Sequence, residues 1–74
     1  MDSKYYLVVG LGKTGYSIAR YLKRQKLKFC MFDTRTDNID LPSFSQEFAD
    51  VKLYLGNIPE NVYQDIQEII ASPA

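Results

Sequence analysis

The chain reads YYLVVGLGKTG over residues 5–15, an apolar run interrupted by three glycines and followed at once by a helix-like segment. Gly10, Gly12 and Gly15 have the G-x-G-x-x-G spacing of a strand, a tight loop and a helix start. The first glycine permits the turn, the second lets a phosphate approach the backbone, and the third lets helix and strand pack closely. This stretch therefore predicts a site for a nucleotide diphosphate.

Length and composition restrict the class of protein. The 74 residues suit one small domain or a fragment of a larger protein. Nine basic and nine acidic residues give a formal net charge of zero, so no bulk field favours nucleic acid or an acidic membrane surface as a partner. No apolar run approaches the ~18 residues of a membrane span, which makes the cytoplasm the expected compartment.

The residue types present argue against catalysis within this chain. It has no histidine, which removes Ser–His and Cys–His nucleophile pairs and the commonest transition-metal ligand. Cys30 lies in an apolar run, where we expect a buried thiol. A Walker A loop is rejected because G-x-x-x-x-G-K-[ST] needs a glycine where Leu7 stands. We therefore predict no catalytic residue, no metal ligand and no cofactor bound by this chain.

Hydrophobic periodicity predicts alternating strands and helices. After a first strand at residues 5–9, an amphipathic helix is expected over residues 14–25, with Arg20, Lys23 and Arg24 on a solvated face. The later elements are expected to be a strand at 28–32, a helix at 41–50, a strand at 51–55, a helix at 59–67 and a strand at 68–71. Right-handed crossovers then give an open, Rossmann-like parallel α/β sheet of order 3-2-1-4 with helices on both faces.

The candidate diphosphate contacts lie at the carboxyl end of the first strand, where open α/β sheets bind ligands. Backbone N–H groups of residues 11–14 and the positive end of the helix dipole face this position. The Thr14 hydroxyl can add a hydrogen bond, and the Lys13 ammonium can offset phosphate charge.

The second group of candidates follows the second strand. Asp33 lies 18 residues after Gly15, close to the ~20 expected of an acid that contacts a ribose hydroxyl. Together with Thr34 and Arg35 it suits either a dinucleotide, by binding ribose and stacking on adenine, or a uridine nucleotide, by hydrogen-bonding the uracil edges. The chemistry of these groups does not choose between the two ligands.

Three motifs resemble the N-terminal domain of the UDP-N-acetylmuramoyl-L-alanine:D-glutamate ligases, the MurD branch of the Mur ligase family. Residues 10–15 match the family's G-L-G-x-T-G, residues 33–35 match its D-T-R, and residues 71–73 match the first three positions of its A-S-P-G. Ala74 stands where the family usually has glycine. The motifs occur in the family's order and span nearly the whole chain.

The resemblance implies that residues 1–74 form the UDP-binding N-terminal domain of a larger three-domain ligase. Gly10 and Gly15 would shape the loop. The implied substrate contacts are Gly12, Lys13 and Thr14 for the diphosphate, Asp33, Thr34 and Arg35 for the uracil, and Ser72 and Pro73 beside the fourth strand.

The resemblance also implies the activity of the complete protein. It would be a cytoplasmic, ATP-dependent ligase of peptidoglycan synthesis, and thus of cell wall biogenesis, cell shape and cell division. The missing domains would bind ATP, Mg²⁺ and D-glutamate, while this chain would hold the nucleotide end of UDP-N-acetylmuramoyl-L-alanine. Alone it would have no turnover.

Two other interpretations use the same glycines and Asp33. One is the NAD-binding domain of a dehydrogenase, and the other is a ligand-sensing domain of a potassium-transport regulatory protein. Both interpretations predict that the chain binds NAD. The Thr34-Arg35 pair and the Ala-Ser-Pro sequence at 71–73 favour the ligase over both.

Overall fold

The computed structural model describes residues 4–71 as a parallel sheet with helices on both faces. In chain order the elements are β1 (Tyr5–Val9), α1 (Lys13–Arg24), β2 (Phe29–Asp33), α2 (Leu41–Glu47), β3 (Lys52–Leu55), α3 (Glu60–Tyr63) and β4 (Ile66–Ala71). The four strands are parallel and lie in the order β3-β2-β1-β4. The predicted open α/β sheet and its strand order are confirmed.

Strand β1 lies inside the sheet, between β2 and β4. Leu7 and Val8 are adjacent residues of β1, so their side chains point to opposite faces of the sheet, and they are 2% and 0% exposed, respectively. A strand covered on both faces needs a continuous apolar run, and this is the pattern of residues 5–9.

The larger core layer lies between the sheet and the helices α1 and α2. Phe48, directly after α2, is 1% exposed, and its ring packs edge-on against Tyr16 and Phe29. Edge-to-face contacts of this kind stabilise a core beyond the area they bury. The buried members of this layer are Val8, Ala19, Leu22, Phe29, Met31, Phe44 and Phe48.

The core layer on the opposite face is smaller. Leu7, Cys30 and Ile58 are its buried members, and Val62 of α3 and Ile66 of β4 pack against them. The prediction of a buried Cys30 thiol is confirmed, since Cys30 is only 4% exposed.

Three predicted element boundaries are wrong by two residues or more. Helix α2 ends at Glu47 instead of residue 50, because Phe48 leaves the helical conformation, at φ −126° and ψ 57°, with its side chain in the core. Helix α3 ends at Tyr63, and β4 begins at Ile66, two residues earlier than expected. The four-residue spacing of Val62 and Ile66 resembles a helical face, but Ile66 reaches the same core from a strand paired with Tyr5.

The basic face of α1 is solvated, as predicted, because Arg20 and Lys23 are both exposed, but these two side chains also contact Glu47 of α2. The Arg20 guanidinium forms a bidentate ion pair with the Glu47 carboxylate of α2. The Lys23 ammonium donates to the Glu47 backbone carbonyl at 2.7 Å and lies 5.5 Å from the centre of the Phe48 ring. Arg24 is exposed, as predicted.

Candidate functional site

The three glycines of the first loop have different structural roles. Gly10 has a positive φ of 108°, and its N–H donates to the Phe32 carbonyl at 2.8 Å, so it makes the turn that leaves β1. A Cβ on Gly15 would lie 1.9 Å from the Gly10 carbonyl oxygen, so only glycine allows α1 to approach β1 this closely. A Cβ on Gly12 would meet no atom within 4 Å, which leaves the backbone open there to a ligand.

Asp33 connects the glycine loop to the loop after β2. It is the last residue of β2, and it is 6% exposed. Its Oδ2 accepts hydrogen bonds from the Leu11 backbone N–H and from Arg35 Nη2, both at 2.9 Å. Its Oδ1 accepts from the Arg35 backbone N–H at 2.9 Å and from Arg35 Nε at 3.0 Å. One carboxylate therefore holds two loops at the carboxyl edge of the sheet.

These bonds fix the charge of Asp33. The Arg35 side chain, followed by the backbone N–H groups of Arg35 and Leu11, holds the pKa of the Asp33 carboxyl well below its usual range despite the opposing effect of burial. Asp33 is therefore ionised at neutral pH, and Arg35 is a cation with a fixed orientation.

The arrangement refines two expectations from the sequence. The Leu11 N–H, expected to face a pyrophosphate, instead donates to Asp33. Each Asp33 oxygen already accepts two hydrogen bonds, so its common acceptor positions are taken in this conformation. The Asp33 bonds engage Arg35 through Nε and Nη2, so Nη1 remains outside the pair.

A cleft of about 570 Å³ opens between the start of α1 and the segment that joins β2 to α2. This volume is within the range of small-molecule sites. Three cationic side chains face it, with Asp40 as the acidic one. Its lining brings together Gly12, Lys13 and Arg35, which the sequence singled out for binding, with Tyr16, Arg20 and Asn38, which it did not.

Among the described residues, the candidates Thr14, Asp33 and Thr34 do not line this cleft. Thr14 in the first turn of α1 and Thr34 after β2 are both exposed near the carboxyl edge of the sheet. Ser72 and Pro73 lie outside the described residues.

The sequence contains patterns that could have identified the cleft residues that were not predicted, Tyr16, Arg20 and Asn38. Lys13, Tyr16, Ser17 and Arg20 follow the i, i+3, i+4, i+7 pattern, so they form one stripe along α1, which we call the cleft-facing stripe. This second stripe, on the side away from Gly15, Ala19 and Leu22, is polar except for its tyrosine. Asn38 has a positive φ of 58°, a conformation that asparagine tolerates better than most residues.

The described part of the chain contains neither a metal-binding cluster nor a helix suited to a membrane. Over residues 4–71, no group of three or more His, Cys, Asp or Glu side chains is placed to hold a metal ion. In the same range, no helix is long and apolar enough to cross a membrane.

A parallel sheet of order 3-2-1-4 with a G-x-G-x-x-G loop and an acidic residue ending the second strand defines the Rossmann-like class of α/β domains. Within this class, the chain matches the family described as Mur ligase MurD-like, N-terminal domain, over residues 4–74. The chain belongs to this family.

Comparison with curated proteins gives relatives of the same kind. The chain is 49% identical over 73 residues, 99% of its length, to the UDP-N-acetylmuramoylalanine--D-glutamate ligase of Legionella pneumophila strain Lens. Over 67 residues, 90% of its length, it is 37% identical to the ligase of that name from Marinobacter nauticus and 36% identical to that from Coxiella burnetii. The chain spans 16% of the Legionella protein and 15% of the other two.

Proposed function

We propose that this chain binds the UDP part of UDP-N-acetylmuramoyl-L-alanine in a ligase that adds D-glutamate during peptidoglycan synthesis. The observation that carries the proposal is the Asp33 carboxylate, which links the glycine loop to Arg35 beside a cleft of nucleotide size. Membership of the MurD-like family supports the ligase over the NAD-binding alternatives.

The diphosphate would bind at the start of α1. Gly12 leaves the backbone open there, and Lys13 lines the adjoining cleft. The unpaired N–H groups of the first helical turn and the positive end of the helix dipole favour an anion at this position, and the Thr14 hydroxyl adds a donor.

The uracil would bind beside the loop after β2, against Asp33, Thr34 and Arg35. Because Arg35 is held by a buried carboxylate, its guanidinium is ordered before a ligand arrives, which reduces the entropy lost on binding. Ser72 and Pro73 would close the same site from beyond β4.

In the complete, cytoplasmic protein, ATP would phosphorylate the terminal carboxylate of the substrate, and the amine of D-glutamate would displace the phosphate to form an amide. The other domains would bind ATP, Mg²⁺ and D-glutamate. This chain would fix the nucleotide end of the substrate, so that the carboxylate is held in position for reaction far from this domain. The product would serve cell wall biogenesis, and through it cell shape and cell division.

Calorimetric titration of the 74-residue chain with UDP and with NAD tests the proposal. We expect weak binding of UDP and weaker binding of NAD, because the D-T-R loop is assigned to uracil. Preferential binding of NAD would instead support the dehydrogenase or potassium-transport interpretation.

A substitution tests the assignment of Arg35. Arg35→Ala removes a charged hydrogen-bonding group, so we expect UDP to bind about tenfold more weakly while inorganic pyrophosphate binds almost as before. Arg24→Ala, which removes an exposed arginine outside the cleft, is the matched control. If UDP and pyrophosphate lose affinity equally in Arg35→Ala, Arg35 contacts phosphate and the uracil assignment is wrong.

A further inference from the structure

The cleft-facing stripe of α1 continues two turns beyond the glycine loop and ends at Arg20. Helical side chains lean toward the N-terminus of their helix, so the Arg20 side chain extends back along the cleft toward the turn of Tyr16. Its guanidinium carbon lies 5.6 Å from the centre of the Tyr16 ring, within the range of a cation–π contact. Arg20 is thus directed along the cleft wall and away from the distal end of α1.

Glu47 fixes the orientation of this guanidinium. The ion pair uses Nε and Nη2 of Arg20, with Nη2 at 3.0 Å from Oε1, so Nη1 remains outside the pair. Glu47 itself ends α2, and Lys23 donates to its backbone carbonyl. The arrangement repeats that of Asp33 and Arg35 across the cleft, where a carboxylate also orders an arginine through Nε and Nη2.

We propose that Arg20 is a further contact for the phosphate groups of the nucleotide, and that Glu47 is a positioning residue acting through Arg20. The inference rests on the proposed function, because it concerns the same cleft. A guanidinium with its plane already fixed loses less freedom when it binds an oxyanion than a mobile one does, and its planar donors match phosphate oxygens.

The acidic residue of the cleft does not oppose this assignment. Asp40 caps α2, where its Oδ1 accepts from the Ser43 N–H at 3.1 Å and its Oδ2 from the Ser43 hydroxyl at 2.8 Å. Its charge is therefore directed at the positive end of the α2 dipole. With Arg35 assigned to the uracil, Lys13 and Arg20 remain as the cleft's groups for the phosphates.

The first experiment compares the affinities for UDP and for uridine of the unsubstituted chain and of two variants, Arg20→Gln and Arg24→Gln. We expect Arg20→Gln to weaken UDP binding about fivefold and to change uridine binding less than twofold, because only UDP carries the phosphates. Arg24→Gln removes the same charge from the same helix outside the cleft, and we expect less than a twofold change for either ligand.

The second experiment measures the UDP affinity of Glu47→Gln. An effect of Glu47 through its charge and an effect through the orientation of Arg20 predict opposite changes in this affinity. Removing a negative charge near an anion site strengthens anion binding if only the net field matters. If Glu47 acts by orienting Arg20, UDP affinity falls about threefold instead, and Arg20→Gln/Glu47→Gln binds UDP no more weakly than Arg20→Gln alone. Thermal unfolding of each variant verifies the fold, since an exposed ion pair contributes little to stability.

The outcomes separate this inference from the proposed function. Absence of UDP binding by the unsubstituted chain overturns the proposed function and the inference with it. UDP binding that Arg20→Gln and Arg24→Gln weaken equally, or a tighter complex with Glu47→Gln, overturns the inference alone. If Arg20→Gln lowers the affinities for UDP and uridine equally, Arg20 contacts the nucleoside and not the phosphates, which also contradicts the inference.

Discussion

The two faces of the sheet are covered to very different depths. On one face, helices of 12 and 7 residues enclose a buried cluster that includes Phe44 and Phe48. On the other, a helix of 4 residues covers Leu7, Cys30 and Ile58. The cleft lies on the deeply packed face, and Tyr16 in its wall packs against this buried cluster. A binding site gains from such support, because groups held by packing lose little freedom when a ligand arrives.

Helix α1 shows how the deep layer positions the site. Gly15, Ala19 and Leu22 are buried on one side of the helix, so its rotation about its axis is fixed by the core. The core therefore turns the cleft-facing stripe toward the cleft, and the ion pair with Glu47 orients Arg20 at the far end of the stripe and joins it to α2. The comparison between the faces thus predicts where substitutions affect stability and where they affect binding.

Replacement of Phe48 should produce the largest effect. Phe48→Ala leaves a cavity among Tyr16, Phe29 and Phe44, and we expect a loss of about 3–5 kcal/mol in the free energy of unfolding, measured in urea. Ile58→Ala on the shallow face is the counterpart, with an expected loss of about 2 kcal/mol, because a thin layer can collapse onto the space. A greater loss for Ile58→Ala would refute the comparison between the faces.

Substitution of Gly15 should reduce mainly the stability of the fold, whereas substitution of Gly12 should reduce mainly the affinity for UDP. In Gly15→Ala the new methyl group meets the Gly10 carbonyl at 1.9 Å, and the backbone must shift, so we expect a loss of about 2–3 kcal/mol in unfolding free energy. In Gly12→Ala the methyl group enters open space, so stability should change by less than about 1 kcal/mol while UDP affinity falls. Equal destabilisation by both would mean that Gly12 is also a packing residue.

Removal of the Asp33 charge should have a smaller effect that depends on pH. The folded-state pKa of Asp33 is depressed below the unfolded value of ~3.9, so its stabilisation is present above that pH and is lost as the pH falls toward the folded pKa. We expect Asp33→Asn to lose about 1–3 kcal/mol at pH 7 and to show a flatter decline of stability below pH ~4. Urea unfolding between pH 3 and 7 measures both, with Asp37→Asn, an exposed acid in the same loop, as the control. An unchanged acid slope in Asp33→Asn would show that Asp33 does not stabilise the fold through its charge.

Local patterns in the sequence were sufficient to predict the sheet. Contacts between segments that are distant in the sequence could not be predicted from such patterns. The apolar run at 5–9 and the loop glycines fixed β1 and the start of α1, because strand period and turn geometry are properties of adjacent residues. The boundary between α3 and β4 was missed, because Val62 and Ile66 satisfy both a helix and the observed turn. The pair of Arg20 and Glu47 joins residues 27 positions apart, and it exists only because α1 packs beside α2.

The smallest effect on stability is expected for substitution of Cys30. This residue belongs to the thinly covered face of the sheet, so it tests that face directly. Its thiol is 3.9 Å from the Tyr6 carbonyl, a weak contact, so Cys30→Ala should cost about 1 kcal/mol. Burial also raises the pKa of the Cys30 thiol, so a disulfide reagent must wait for the layer to open. Because the helix that covers this face among residues 4–71 has four residues, we expect opening for labelling to require less free energy than global unfolding in urea. The labelling rate at several reagent concentrations, set against that of the urea-unfolded chain, measures this opening. Equal free energies for opening and for global unfolding would show that the shallow layer opens only when the deep layer does.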